Sequence, residues 1–313
     1  MIEFEHVDKS YDGRVNVVED INFTIEKGEF FVLIGPSGCG KTTTLKMINR
    51  LIPLTGGTVR IHGKRISDYD IHELRWEIGY VLQQIALFPH MTIEENISVV
   101  PELKKWEKGK IRDRVTELLT MAGLEPDTYR NRKPNELSGG EQQRIGVVRA
   151  LAADPDVVLM DEPFSALDPI SRTKLQDDLL DLQRTIRKTI VFVTHDIQEA
   201  MKLGDRICLM KDGRIEQLGT PAEILRSPAT PFVEEFTGSR TSHLFNVKDY
   251  MEPAGSEAAD APSMPGDAGW HAVLEALQSR DAVRVIQDGQ TIGILTRGSI
   301  LKYLADQERT ATA

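Results

Sequence analysis

Four short stretches of this 313-residue chain carry residue types suited to holding and cleaving a polyphosphate. In the first, Gly35-Pro36-Ser37-Gly38-Cys39-Gly40-Lys41-Thr42 has the spacing of a phosphate-binding loop, G-x-x-x-x-G-K-[ST]. The apolar run Phe30–Ile34 before it reads as a buried strand, and Thr43–Arg50 behind it as a helix, which is the context such a loop requires. Glycines there let backbone N–H groups turn inward around phosphates, and the helix N-terminus adds partial positive charge at the same point. Lys41 supplies a point charge for the β- and γ-phosphates, and Thr42 a hydroxyl for Mg²⁺. The chain is expected to bind a nucleoside triphosphate.

The second stretch, Leu137-Ser138-Gly139-Gly140-Glu141-Gln142-Gln143-Arg144, precedes an apolar-faced helix. Ser138 suits the N-cap position, and Gly139 and Gly140 expose N–H groups at the helix start, which makes a second anion site. The third, Asp161-Glu162, closes the apolar strand Val157–Met160. One carboxylate falls near Mg²⁺ and the next where it polarises a water. The fourth is His195, at the end of the strand Ile190–Val193, where a ring nitrogen reaches a γ-phosphate.

The elements that position these residues follow from periodicity. Residues 2–7 and Val18–Ile25 alternate in polarity as half-buried strands do, and Ile78–Leu82 reads as a strand ending at Gln83. From about Pro89 the pattern becomes helical, with Thr92 and Glu95 in capping-box spacing and an apolar face along Ile111–Ala122. The basic run Lys104–Lys110 fits a solvated face, and Trp76 and Trp106 read as packing residues. A helix over Ile170–Arg187 and strands over Ile207–Met210 and Gly213–Gln217 complete a strand–helix alternation, hence an α/β fold with a largely parallel sheet. Residues 252–269 are rich in Pro, Gly and Ala, with no lysine or arginine, and read as a linker. Beyond it a helix from Trp270 to Leu277, strands Val283–Ile286 and Thr291–Leu295, and a helix Ser299–Leu304 are expected.

Composition narrows the class. Hydrophobic residues at 40% and charged ones at 27% suit a soluble globular protein, and no apolar run is long enough to span a bilayer. The N-terminus lacks the pattern of a signal peptide. A net charge of −10 argues against a general nucleic-acid binder. The two cysteines, Cys39 and Cys208, lie in unrelated contexts and suggest a reducing compartment. Cys39 is either a thiol activated by the loop's N–H groups or a small residue that fits the loop, and the second reading is preferred.

This ordered set of motifs resembles the ATP-binding subunit of ABC transporters, over residues 1 to about 240. The resemblance implies a P-loop ABC ATPase fold: a RecA-like core, an antiparallel β subdomain and a helical subdomain at about residues 89–150. It also implies a head-to-tail homodimer that holds ATP and Mg²⁺ between one phosphate loop and the other subunit's signature. Carried over, Tyr11 stacks on adenine, and Gly35, Ser37, Gly38, Cys39, Gly40, Lys41, Thr42 and Thr43 hold the phosphates. Gln83 senses Mg²⁺ and the γ-phosphate beside the coupling helix of a membrane subunit. Ser138, Gly139 and Gly140 act in trans, and Asp168 crosses the dimer interface. Thr42, Gln83 and Asp161 serve the metal; Glu162 is the base for the attacking water, and His195 holds the γ-phosphate. Glu141 departs from the glutamine more usual in the signature and adds charge near the trans site.

The runs Leu45–Pro53, Gln83–Thr92 and Leu167–Arg172 are closer still to the ATPase subunit of osmoprotectant importers, which take up glycine betaine, carnitine and choline. That resemblance implies integral-membrane permease subunits, an extracytoplasmic substrate-binding protein acting indirectly, and a peripheral position on the cytoplasmic face of the cell membrane. An importer for a polyamine or a sugar is the alternative, and a non-transport ABC ATPase a more distant one. Residues 241–313 are similar to a linker plus one cystathionine-β-synthase (CBS) unit, an α+β module that regulates or dimerises, which implies a strand near Phe245-Asn246-Val247 ahead of the helix from Trp270. Ser299 stands where that module often has a ribose-binding aspartate, which argues against an adenosine ligand and for pairing with the second subunit's tail.

Overall fold

The computed structural model describes residues 1–83, 86–165, 167–238, 247–253, 261–266, 268, 273, 276–278, 280–287 and 290–302. The chain begins with β1 (Ile2–Ser10), β2 (Asn16–Ile25), β3 (Phe30–Ile34), α1 (Lys41–Ile48), β4 (Gly56–Ile61), β5 (Lys64–Arg65), α2 (Ile71–Trp76) and β6 (Ile78–Val81). A helical stretch follows: α3 (Ile93–Leu103), α4 (Lys108–Met121), α5 (Pro126–Tyr129) and α6 (Gly139–Leu151). Then come β7 (Val157–Asp161), α7 (Pro169–Ile186), β8 (Thr189–Thr194), α8 (Ile197–Leu203), β9 (Arg206–Lys211), β10 (Arg214–Gly219), α9 (Pro221–Arg226) and α10 (Pro231–Phe236). The chain divides into two compact units, Met1–Val233 and Glu234–Ala313.

In the first unit, β3, β7 and β8 are buried along their whole length, as their unbroken apolar runs require of strands covered on both faces. They lie side by side in a six-stranded sheet of order β10-β9-β3-β8-β7-β6. The pairings β6–β7, β7–β8, β8–β3 and β3–β9 are parallel, and β10 closes the edge antiparallel. Register sets Ile34 beside Thr194, Asp161 beside Val193, and Val81 beside Met160. The carboxyl ends of these strands therefore line one edge, where ligands bind in open α/β sheets. A second, antiparallel sheet of order β2-β1-β4-β5 packs its alternating apolar residues, Phe4, Phe23 and Val59 among them, into the same core as β3 and α1.

Helix α1 starts two residues earlier than its composition predicts. Gly40 precedes it at φ +102°, a left-handed conformation that turns the chain directly into helix at Lys41. Thr92 and Glu95 form the expected capping box of α3. The basic run is split between the end of α3 and the start of α4. Lys104 pairs with Glu77 at 2.9 Å, and Lys110 lies 4.0 Å from the centre of the half-buried Trp106 ring.

Helix α6 sits tightly on β6. A Cβ on Gly79 would stand 2.3 Å from the Ala150 carbonyl oxygen, so only glycine permits the contact. Gly79→Ala is expected to destabilise the fold by about 3 kcal/mol, because backbone rather than a movable side chain blocks the new methyl. An unchanged denaturation midpoint in that variant would show that β6 and α6 separate freely.

The second unit holds α11 (Val247–Tyr250) and a sheet of β11 (Ser263–Pro265), β12 (Ala282–Gln287) and β13 (Gln290–Thr296), in that spatial order. Met264, Val283, Val285 and Leu295 meet Val247, Val273, Leu277 and Ile300 in a small core. Two sequence expectations are corrected. The strand expected near Phe245-Asn246-Val247 is, from Val247 on, a helical turn; Phe245 and Asn246 lie outside the described residues. The expected linker is also not free chain at its ends. Glu252 exchanges backbone hydrogen bonds with Ile294, and Ser263–Pro265 pairs in parallel with Arg284–Ile286. Met264 enters the core between two exposed neighbours, a three-residue alternation too short to stand out in a Pro-rich stretch. Of the expected helix from Trp270, residues 273 and 276–278 are described and helical; Trp270 lies outside. Ser299 is buried, its hydroxyl 3.2 Å from that of Thr296.

Candidate active site

Three glycines shape the loop after β3. Gly35, Gly38 and Gly40 all have positive φ. At Gly35 a Cβ would lie 2.1 Å from the Met210 carbonyl oxygen, and at Gly40 one would lie 2.7 Å from that of Val17. Pro36, Ser37 and Gly38 are exposed, while Lys41 is only 6% exposed. Its ammonium folds back on the loop and donates to the carbonyls of Gly35 at 2.8 Å and Pro36 at 2.9 Å. Thr43 is half-buried at the start of α1, and the Thr44 hydroxyl donates to the Gly40 carbonyl at 3.0 Å. Cys39 is buried, and desolvation pushes its thiol above the ordinary cysteine range despite Lys41 nearby. The activated-thiol reading fails, and the small-residue reading stands.

From the loop the site extends to the end of β7. Thr42 Oγ1 donates to Asp161 Oδ1 at 2.8 Å. The other oxygen of Asp161 accepts from the Tyr80 hydroxyl at 3.3 Å and lies 3.6 Å from Lys46 Nζ. Burial, then the charge of Asp161, raises the Tyr80 hydroxyl pKa, so it stays protonated and donating. Sequence reasoning missed both residues. Lys46 was within reach of it, four positions after Thr42 and so on the same face of α1.

Glu162 stands one residue further, at φ +44°, a left-handed conformation uncommon for a long side chain. Its backbone N–H donates to the Val193 carbonyl at 3.0 Å, which ties the end of β7 to the end of β8. Its carboxylate is 3.1 Å from His195 Nδ1 and 3.4 Å from Gln83 Nε2. Glu162 is mostly covered and His195 mostly open, with side chains 20% and 60% exposed. Gln83 and His195, far apart in the chain, thus converge on one carboxylate.

The remaining predicted residues lie elsewhere. Ser138 is the N-cap of α6 and forms a full capping box with Glu141. The Glu141 carboxylate also accepts from the Tyr129 hydroxyl at 2.5 Å, and that bond, with those to Ser138, holds its pKa below the usual carboxylate range. Its charge is engaged within its own helix cap. At Gly139 and Gly140 a Cβ would meet nothing within 4 Å. Among the described residues no hydrogen bond or ion pair joins Ser138, Gly139 or Gly140 to the phosphate loop. Asp168 caps α7, its carboxylate accepting from the N–H groups of Ile170 and Ser171, both at 3.1 Å. Tyr11, just past β1, is 63% exposed with Lys9 Nζ 4.9 Å from its ring centre.

Mg²⁺ suits the Thr42–Asp161 pair, which places a hydroxyl and a carboxylate together as hard oxygen donors beside the phosphate loop. No helix among the described residues is long and apolar enough to cross a membrane.

A phosphate loop, an acidic strand end and a histidine strand end, with a helical stretch carrying a second glycine-bearing N-terminus, define the class. Residues 18–165 match the family model described as ABC transporter, and the chain belongs to that family of ATP-binding proteins. Within it, the chain stands with proteins named for osmoprotectant transport. It is 59% identical over 238 residues to the glycine betaine/carnitine/choline transport ATP-binding protein OpuCA of Bacillus subtilis, covering 76% of this chain and 62% of that one. It is 48% identical to the carnitine transport ATP-binding protein OpuCA of Listeria monocytogenes, over all of this chain and 78% of that one. A solved ATP-binding cassette, dimeric in a post-hydrolysis state with ADP and Pi, superposes with a TM-score of 0.63 at 38% identity. It is covered over 99% of its length and matches 71% of this chain. The chain thus spans under two thirds of the Bacillus relative's length.

Proposed function

We propose that this chain is the ATP-hydrolysing subunit of an importer for quaternary ammonium osmoprotectants such as glycine betaine, carnitine or choline. The observation that carries the hydrolytic part is the convergence of Gln83 and His195 on the carboxylate of Glu162, beside the phosphate loop. The solute class is supported by what the relatives are named for.

In this reading the N–H groups of Gly38 to Thr42 and the ammonium of Lys41 take the phosphates, and Tyr11 lies against adenine. Lys41 exchanges its two loop carbonyls for phosphate oxygens. Thr42 and Asp161 would hold Mg²⁺ with help from Gln83, and Tyr80 keeps the Asp161 carboxylate aimed at Thr42. When bound, Mg²⁺ neutralises charge on the β- and γ-phosphates. Glu162 accepts the proton of the attacking water, and His195, paired with Glu162, holds the γ-phosphate.

The chain acts as a head-to-tail dimer on the cytoplasmic face of the membrane. The open space at Gly139 and Gly140 lets a second subunit's phosphates approach the α6 N-terminus closely, while Asp168 faces across the interface. Closure is transmitted to permease subunits through the Gln83 region, next to a groove lined by Trp76, Leu82, Phe88 and Val100. The substrate-binding protein meets the permease rather than this chain. The second unit, as a single CBS-like module, pairs with its counterpart and tunes transport to ionic strength.

Uptake of labelled glycine betaine, carnitine and choline, with a polyamine and a sugar as comparators, tests this reading. The chain is supplied with its permease and binding protein, and the Glu162→Gln chain serves as blank. Quaternary-amine uptake that vanishes in the blank is expected. Polyamine or sugar uptake instead would discard the solute class. An unchanged salt response after deletion of residues 241–313 would discard the role given to the second unit.

A further inference from the structure

The polar cluster one turn into α7 and α8 takes part in none of the steps above. Arg172 and Gln176 lie four positions apart on α7 and both face Glu199 of α8. Glu199 is 5% exposed. It accepts from the Thr194 hydroxyl at 2.6 Å and from Gln176 Nε2 at 3.4 Å, while Arg172 Nε stands 3.9 Å away. The rest of the Arg172 guanidinium spans two loops. One terminal nitrogen donates to the Leu167 carbonyl at 3.3 Å, and the other lies 3.7 Å from the carboxylate of Asp196.

These contacts flank two residues of the proposed mechanism. Leu167 precedes Asp168, the N-cap of α7. Thr194 and Asp196 sit on either side of His195, and the Asp196 N–H donates to the Thr194 hydroxyl at 3.0 Å. Asp196 is in turn the N-cap of α8. Each helix therefore starts at a site loop and carries one arm of the cluster a turn further in.

We propose that Arg172, seated on Glu199, is a positioning residue that couples the Asp168 loop to the His195 loop, so that contact at Asp168 resets His195 against Glu162. The inference rests on the reading of Asp168 as facing a second subunit. Its physical basis is a guanidinium held loosely. Arg172 Nε is buried with no hydrogen-bond partner, and both ion-pair distances exceed hydrogen-bond range. A displacement of about 1 Å between α7 and α8 brings these groups into hydrogen-bonding range. Once those contacts close, the planar fork with its fixed donor directions passes movement of the Leu167 carbonyl on to Asp196.

The test uses the full chain carrying Arg172→Gln, Arg172→Lys or Glu199→Gln. The last variant keeps an amide facing Thr194 and Gln176 while removing the charge that seats Arg172. ATP affinity, ATP-dependent dimer in a Glu162→Gln background, kcat and the Hill coefficient for ATP are measured. With His195 misplaced, kcat is expected to fall about 10- to 100-fold in all three, with ATP affinity and dimer retained and the Hill coefficient moving toward 1. Normal kcat and cooperativity in Arg172→Gln would overturn the coupling alone. So would loss of ATP affinity and dimer in step with kcat, the mark of a merely structural role. If Glu162→Gln with native Arg172 stays monomeric in ATP, the dimeric reading falls and the coupling with it.

Discussion

Glu162→Gln is expected to bind ATP with near-native affinity, accumulate a closed dimer and lose sustained turnover. The substitution changes little in shape. Gln83 and His195 meet the same Glu162 oxygen, and a glutamine carbonyl placed there can still accept from the Gln83 amide and from a His195 Nδ1–H. The capacity to accept a proton is what disappears. General-base assistance of this kind contributes about 10²- to 10⁴-fold, so kcat should drop by at least about 100-fold, or some 3 kcal/mol of barrier. The geometry adds a reason for the base to be this residue rather than Asp161. Both oxygens of Asp161 are engaged, one by Thr42 and the other by Tyr80 with Lys46 near, whereas Glu162 faces the partly open side of the site. Its left-handed backbone, fixed by the bond to Val193, turns it away from the line of β7. Single-turnover hydrolysis and gel filtration in ATP read the two halves of the expectation. Turnover within a few-fold of the native chain would remove Glu162 from the role.

What was legible in the sequence was local chemistry. The phosphate loop, the capping box at Thr92, the N-cap at Ser138, and the buried runs that became β3, β7 and β8 each depend on residues within a few positions of one another. Partners chosen by strand register were not legible. Tyr80 meets Asp161 only because β6 pairs in parallel with β7, and Arg172 meets Asp196 only because α7 and α8 follow neighbouring strands. Glu141 was legible as an added negative charge but not by its partners. The added carboxylate is engaged by Tyr129 and by the helix cap. In the second unit, β11 depends on Arg284–Ile286 for its pairing, and nothing within Ser263–Pro265 announces it. The helix start at Lys41 follows from one glycine's φ, which composition alone does not specify.

Lys41→Met is expected to separate nucleotide binding from stability more sharply than any other single change at this site. The side chain is nearly isosteric up to its end, so the stem keeps its buried path into the loop. In the free protein the ammonium offsets its desolvation by two short bonds to the carbonyls of Gly35 and Pro36. Removing it deletes both a buried charge and the bonds that compensate it, and these contributions largely cancel. The Pro36 carbonyl belongs to an exposed residue and regains water, which leaves the buried Gly35 as the main uncompensated acceptor. The net effect on folding is therefore expected to stay near 1 kcal/mol, at the lower end for one unsatisfied group. No such cancellation operates with nucleotide bound. There the ammonium's charge-assisted hydrogen bonds to the β- and γ-phosphates, each worth about 1.5–3 kcal/mol, have no substitute in a thioether. ATP affinity should fall by roughly 100-fold or more. Thermal melting without nucleotide should move by only a few degrees, while the rise in melting temperature that ATP confers on the native chain should vanish. A variant that unfolds outright would mean that Lys41 is chiefly a structural clamp on its own loop. One that melts and binds like the native chain would mean that the loop's N–H groups hold the phosphates without it.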